Sequence, residues 1–338
     1  MSEITVCGFT VKPGERFCGQ LPVTTLASGL ELSIPVHILN GMKPGPRLML
    51  TALSHGDATT GFEVIRRVLN HVDVETLSGA IIAIPCQNPV AFEWGTRGTP
   101  TDMYNMNRSY PGTPKGWFTE QLTAAIVPVC KDADALIDWH GGGYGCAINY
   151  VLLKNTLDED LNKRTHAMGR AYGLEYMYDG APAGPAQNYT GTLTDYMLSL
   201  GKPTIVAEVG AGIELPFDQV GISEQGVYNV MKHMGMLEGT PALPEKQYLL
   251  HTRPLLRPKN GGMFYPVCGP EYLNKWVPKG TLMAQIVNPL TLEVIEEMYA
   301  PCEETVFLNL RAGYTKVHPG DYAYILGNRT DATVIENS

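Results

Sequence analysis

Short apolar runs alternate with helix-patterned segments through the first two thirds of the chain, and most of the runs end in a polar or glycine-rich loop. Residues 21–26 and 30–39 alternate like strands around Ala27-Ser28-Gly29 and predict two strands joined by a turn. Lys43-Pro-Gly-Pro breaks the chain. The run 47–53 then reads as a buried strand that leads into Ser54-His55-Gly56-Asp57. From Thr60 to Val72, Phe62, Val64, Ile65, Val68 and Leu69 recur at helical spacing. The unit repeats. Residues 79–85 predict a strand ending at Gln87-Asn88-Pro89, residues 133–139 one ending at His140-Gly-Gly-Gly, and residues 203–208 one ending at Glu208-Val-Gly. Helices are expected over 118–130, 157–172 and 192–200. Strands alternating with helices predict an α/β fold whose sheet is mostly parallel. Such sheets bind ligands beyond the carboxyl ends of their strands. His55, Asn88, His140 and Glu208 all fall there.

The pattern changes after about Thr240. Pro241 to Pro244 reads as a linker, and the remainder is rich in Gly, Pro and short apolar runs. Residues 269–286 and 316–326 look like related turn-and-strand units. The expected organisation is a catalytic domain over 1–245 and a small all-β domain, sandwich-like or barrel-like, over 246–338.

Composition narrows the class. Hydrophobic residues are 44% of the 338 and charged residues 17%, as in a compact globular protein. A net charge of −9 with no Lys/Arg cluster argues against nucleic acid or an anionic membrane as a partner. The first residues lack a basic-then-apolar leader pattern, and no run approaches the roughly 18 apolar residues of a spanning helix. Seven cysteines, an odd number with no CxxC pair, predict free thiols in a reducing cytoplasm. Oligomeric state is not legible, and a homo-oligomer is compatible with everything above.

The candidate chemistry lies at the strand ends. His55 and His140 each follow a buried strand in a glycine-containing loop, so each reads either as structural or as a zinc ligand, and the fold must bring them together. Arg108 beside Asn107 offers a guanidinium and an amide suited to a carboxylate, or a loop ion pair with Asp102. Arg97 is a surface residue or a cation aimed at a developing oxyanion. Glu208 ends an apolar strand, where a carboxylate is costly unless it is paired or functional. It reads as a general base or as a structural group bound to backbone N–H. Cys146 is read as a small buried residue. Tyr144, Tyr178 and Tyr189 are candidates for the pocket lining.

In order along the chain, Ser54-His55-Gly56-Asp57, Asn88 with Ala91, Arg97, Asp102-x-x-Asn105-x-Asn107-Arg108-x-Tyr110-Pro111-Gly112, Asp138-Trp139-His140-Gly-Gly and Glu208-Val-Gly resemble the succinylglutamate desuccinylase/aspartoacylase family. The resemblance covers most of the chain from about residue 25, including the trailing β region. It implies a zinc carboxypeptidase-like mixed sheet flanked by helices, and hydrolysis of an N-acyl amino acid or related amide. It further implies zinc bound by His55 and His140, and Glu208 activating the attacking water and protonating the leaving amine. Arg97 would polarise the scissile carbonyl, and Asn107 with Arg108 would hold the substrate carboxylate. One position departs. The family pattern has a glutamate ligand where this chain has Ala58, so Asp57 is the expected third ligand. Two other functions stay open: a non-catalytic carboxylate-binding protein derived from this fold, and a carboxypeptidase-like peptidase. A β domain capping the cleft would favour small substrates.

Overall fold

The computed structural model of the chain describes residues 3–143, 145–180, 190–211 and 217–337. Tyr144 and Tyr189 lie outside these. A small hairpin, β1 (Ile4–Val6) and β2 (Phe9–Val11), precedes the main sheet. The sheet begins with the long pair β3 (Arg16–Thr25) and β4 (Glu31–Asn40), then β5 (Lys43–Thr51), helix α1 (Thr60–His71) and β6 (Ser78–Ile84). Next come α2 (Pro89–Trp94), α3 (Phe118–Asp132), β7 (Ala135–His140) and β8 (Cys146–Lys154). They are followed by α4 (Glu159–Tyr172), β9 (Tyr176–Gly180), α5 (Leu193–Ser199), β10 (Thr204–Ala211) and α6 (Gln219–His233).

At the heart of the sheet β6, β5, β7 and β10 run parallel in that order. Their side chains are apolar on both faces, as a sheet covered on both sides requires. On one face Leu48, Leu50, Ile81, Ile137, Trp139, Ile205 and Ala207 pack against Val64, Ile65 and Val68 of α1, Met168 and Tyr172 of α4, and Val227 and Val230 of α6. On the other, Met49, Ile82, Ile84 and Leu136 pack against Leu122, Ile126 and Val129 of α3 and Leu193 and Met197 of α5. Strand alternation sends Thr51, Asp138, His140 and Glu208 to this second face, at the carboxyl ends of the parallel strands. The flanks turn antiparallel, with β4 on β6, β3 on β4 and β8 on β10.

Three elements differ from the sequence pattern. The Lys43-Pro-Gly-Pro stretch belongs to β5, which absorbs its prolines in a register shift between Lys43 and Arg47 against β6. Strand β8 extends the sheet beside β10. Helix α6 covers the first face despite glycines at 221 and 226, because Gly226 lets the helix approach the Tyr172 ring too closely for a side chain.

The region after 245 begins at β11 (Lys246–Leu250) and continues with β12 (Leu255–Leu256), β13 (Gly262–Pro266), β14 (Trp276–Pro278), β15 (Leu282–Val287) and β16 (Val294–Tyr299). It ends with β17 (Glu304–Arg311), β18 (Thr315–Val317), β19 (Tyr324–Asn328) and β20 (Thr333–Glu336). Four of these strands form a separate antiparallel sheet in the order β16-β15-β13-β18. The others extend the main sheet: β17 pairs with β8 and β11 pairs in parallel with β9. This region buries its own core around Phe264, Met283, Ile286, Phe307 and Tyr324, and Ala147 of β8 is part of it. The chain is thus stitched to the catalytic sheet where it enters the β region. Among the described residues no helix is long and apolar enough to cross a membrane.

Candidate active site

Two loops at the carboxyl ends of β5 and β6 run side by side. The backbone N–H groups of Gln87 and Asn88 donate to the carbonyls of Ala52 and Leu53. Asn88 caps α2 by accepting from the Ala91 N–H at 3.1 Å, and its amide donates to Thr99 at 2.8 Å. The His55 loop is pressed onto α2 at Gly56. A Cβ there would lie 1.9 Å from the Ala91 carbonyl oxygen, so no other residue fits without moving the loop. His55 itself is 2% exposed.

His140 closes β7, and Asp138, two residues earlier, projects from the same face. Asp138 is fully buried. Its Oδ1 accepts from Thr51 Oγ1 at 2.7 Å and from Gln87 Nε2 at 3.1 Å, while Tyr110 donates to Gln87 Oε1 at 2.8 Å. Asp138 Oδ2 lies 2.9 Å from His140 Nε2. Such a charge-assisted bond outcompetes a neutral partner, so Nε2 carries a proton and donates it. Sequence reading assigned Asp138 no role. Its signal was a lone carboxylate in an apolar strand, on the face of the histidine that ends it.

His55 is fixed in the same sense. Asn105 Oδ1 accepts from the Asn107 backbone N–H at 3.0 Å, which sets the orientation of its amide. His55 Nε2 lies 3.0 Å from that oxygen and donates to it. Both outer nitrogens are therefore donors, and the two Nδ1 atoms face each other at 3.3 Å. In neutral rings these would be two lone pairs in contact, a repulsive arrangement unless a proton or a metal cation lies between them. Two nitrogens on a tetrahedral zinc, each about 2.0–2.1 Å from the ion, stand about 3.3–3.4 Å apart. The donor pair fits zinc.

The electrostatics separate the two rings. Burial holds His55 well below the usual histidine range, and the charges of Arg97 and His140 push it further. Burial lowers His140 as well, but the Asp138 carboxylate, through its charge and its hydrogen bond, and Glu208 outweigh it and raise the group. Of the two rings, His140 is therefore the one whose surroundings favour a second proton when no metal is bound.

The other expected residues are placed as follows. Ala58 faces the pair's loop, its Cβ 3.2 Å from where a Cβ on Gly141 would be. Asp57 turns its carboxylate towards the loop that follows His140. A Cβ at Gly143, whose φ is +68°, would lie 2.7 Å from Asp57 Oδ2. Among the described residues no third histidine, cysteine or carboxylate gathers with the two histidines closely enough to complete a metal site. Glu208 lies on β10 directly beside His140 in the parallel register and opposite Tyr150 of β8. Arg97 is exposed on the loop whose Thr96 carbonyl accepts from the Gly56 N–H at 2.8 Å, and its charge reaches both histidines. Asn107 is buried, with Oδ1 accepting from the Leu193 N–H at 3.1 Å and Nδ2 3.1 Å from His140 Nε2. Arg108 donates to the Asn107 carbonyl, and its charge also reaches His55. Cys146 is buried, and burial first, then Asp57, pushes its thiol up, as suits a structural residue.

Residues 44–234 match the succinylglutamate desuccinylase/aspartoacylase catalytic domain. A relative from Halomonas elongata, N-alpha-acetyl-L-2,4-diaminobutyric acid deacetylase, is 28% identical over 236 residues. That match covers 67% of this chain and 66% of the relative, so just under two thirds of the relative's length is spanned. The fold is shared with the product-bound ectoine utilization protein EutE (DoeB) from Ruegeria pomeroyi, at a TM-score of 0.82 and 24% identity over 93% of this chain and 95% of that one. A succinylglutamate desuccinylase/aspartoacylase from Rhodobacter sphaeroides superposes at a TM-score of 0.80 with 23% identity, covering 93% and 96%. With more than half of its length matched by the catalytic domain, on the mixed sheet and helices described above, the chain belongs to the succinylglutamate desuccinylase/aspartoacylase family.

Proposed function

We propose that this protein hydrolyses the amide bond of an N-acyl amino acid or a related small amide that bears a carboxylate. The facing Nδ1 atoms of His55 and His140 carry the reading, because their spacing and their fixed tautomers suit one zinc ion per chain. In this reading Asp57 supplies the third ligand once its side chain turns from Gly143 towards the pair. Bound there, zinc would polarise the scissile carbonyl and acidify the attacking water. Glu208, beside His140 in the sheet, takes a proton from that water and passes it to the amine nitrogen as the C–N bond breaks. Arg97 directs its charge at the carbonyl oxygen as negative charge develops there. Asn107 and Arg108 form the carboxylate-binding side, with Asn107 held in place by the Leu193 N–H that donates to its Oδ1.

The Halomonas relative's name makes Nα-acetyl-L-2,4-diaminobutyrate the first substrate to try. All seven cysteines are free thiols, which supports a reducing compartment such as the cytoplasm. Ala58 favours one alternative, a carboxylate-binding protein released from metal chemistry. A panel of N-acyl amino acids and tripeptides, run with the native protein and with Glu208→Gln, separates these readings. The proposal expects acyl amino acids to be cleaved faster than tripeptides, and the variant to lose roughly 10²- to 10⁴-fold in kcat while keeping its metal content. Equal rates for native protein and variant would favour the binding protein.

A further inference from the structure

Behind His140 runs a buried chain of hydrogen bonds whose far end lies two residues after Arg108. Thr51, Gln87 and Asp138 are fully buried, and Tyr110 is buried as well. An ionised Asp138 can only accept. Its Oδ1 takes Thr51 Oγ1 at 2.7 Å and Gln87 Nε2 at 3.1 Å, and its Oδ2 takes His140 Nε2 at 2.9 Å. Both oxygens are thereby assigned, and the carboxylate is held in one rotation.

Gln87 has no role in the reading of the site so far. The two ends of its carboxamide have nearly the same shape, so packing does not choose which of them meets Asp138. The carboxylate does choose, because only Nε2 can donate to it. Oε1 then points to Tyr110, which donates to it at 2.8 Å. Burial pushes the Tyr110 hydroxyl well above its ordinary value, so it keeps the proton it donates. Each bond fixes the direction of the next, from Tyr110 through Gln87 and Asp138 to His140. The backbone anchors both outer members. The Gln87 N–H donates to the Ala52 carbonyl at 3.0 Å, and the Tyr110 N–H donates to the Gly191 carbonyl at 2.9 Å. Without the Gln87 amide, the side-chain donor left on Oδ1 would be Thr51. The carboxylate could then rotate, and the His140 ring would lose the restraint that aims its Nδ1 at His55.

We propose that Gln87 and Tyr110 are positioning residues for the metal pair, holding Asp138 so that its Oδ2 alone faces His140. The inference rests on the zinc reading of the two histidines and extends it to two residues that touch neither the metal position nor the substrate.

The test measures zinc affinity by competition with a chromogenic chelator. The proteins are native, Gln87→Leu, Tyr110→Phe and Asp138→Asn, together with the first two changes each added to Asp138→Asn. Gln87→Leu is expected to bind zinc roughly 3- to 10-fold more weakly, the size of one net hydrogen bond. Tyr110→Phe should weaken binding in the same direction by a smaller factor. Neither change should matter once Asp138→Asn has cut the route to His140. A merely structural role would give the same loss in both backgrounds. That result, or unchanged affinity in both single variants, overturns the inference. Tyr110→Phe removes one oxygen atom and keeps the comparison open should Gln87→Leu fail to fold. If the native protein binds no zinc, the metal reading fails and NMR of the imidazole nitrogens decides the positioning role. Shifted His140 ring nitrogens in the two variants support it, and an unchanged His140 spectrum contradicts it.

Discussion

His55 and His140 meet through their Nδ1 atoms at 3.3 Å, and each ring's other nitrogen is already committed as a donor to a fixed oxygen, Asn105 Oδ1 for one and Asp138 Oδ2 for the other. With both rings neutral, two lone pairs point inward at a spacing that suits one small cation between them.

The ring tautomer of His140 depends on Asp138. Asp138→Asn would remove the charged acceptor and leave a neutral amide beside Nε2. Outer partners of metal-binding histidines typically carry about 10–100-fold in metal affinity, and a loss of that size is expected here. Competition against a chromogenic zinc chelator measures it. Unchanged affinity would mean that the ring is oriented by Asn107 instead.

The two histidines of the metal-free protein should titrate on opposite sides of the ordinary value of 6.5, His140 above it and His55 well below. The signs for stability are opposed. Stability from His140 is fully present below 6.5, the unfolded value, and is lost as pH rises through its raised folded value. For His55 the unfolded chain takes up a proton near 6.5 and the folded chain does not, so stability falls as pH drops below that point. Imidazole nitrogen shifts followed by NMR resolve the two rings. Two coincident titrations near the ordinary value would refute the separation.

Ala58 and Asp57 divide the question of the third ligand. A glutamate side chain placed at position 58 would start beside Gly141, next to His140. Ala58→Glu is expected to raise zinc affinity by more than the roughly 10–100-fold that an outer partner carries, since a direct ligand contributes more. Asp57→Asn should weaken zinc binding in the native background and have little effect when combined with Ala58→Glu. Calorimetric zinc titrations of the two single variants and the double variant show whether that pattern holds. A neutral Asp57→Asn in the native background would remove Asp57 from the metal site.

The loop that carries His55 leaves no space at Gly56. Gly56→Ala would drive a methyl group into the Ala91 carbonyl, 1.9 Å away. A loss of about 2–3 kcal/mol is expected, together with weaker zinc binding as His55 shifts. Urea denaturation of the metal-free protein gives the first quantity, and an unchanged midpoint would show that the loop yields freely.

The parallel centre of the sheet was legible because buried parallel strands leave uninterrupted apolar runs. That is why β5, β6, β7 and β10, with His55, Asn88, His140 and Glu208 at their ends, are readable in the sequence. Helix α6 was missed because its two glycines and weakly sided pattern hide a helix that exists through packing on Tyr172. Strand pairing across long separations leaves no local mark. The join of β17 to β8 and of β11 to β9 therefore had no signal. The direction of the Asp57 side chain belongs to the same class, set by a glycine loop far along the chain. Asp138 was readable in principle, since strand alternation puts it on the face of His140.

Under the proposed reading hydrolysis depends on zinc held by His55 and His140. Stripping the protein of metal, adding zinc in substoichiometric steps and measuring the rate of Nα-acetyl-L-2,4-diaminobutyrate hydrolysis against zinc bound per chain tests that dependence. The expected rate starts near zero, rises in proportion to bound zinc and saturates at one ion per chain. Full activity in the stripped protein, or zinc binding without any gain in rate, would contradict it.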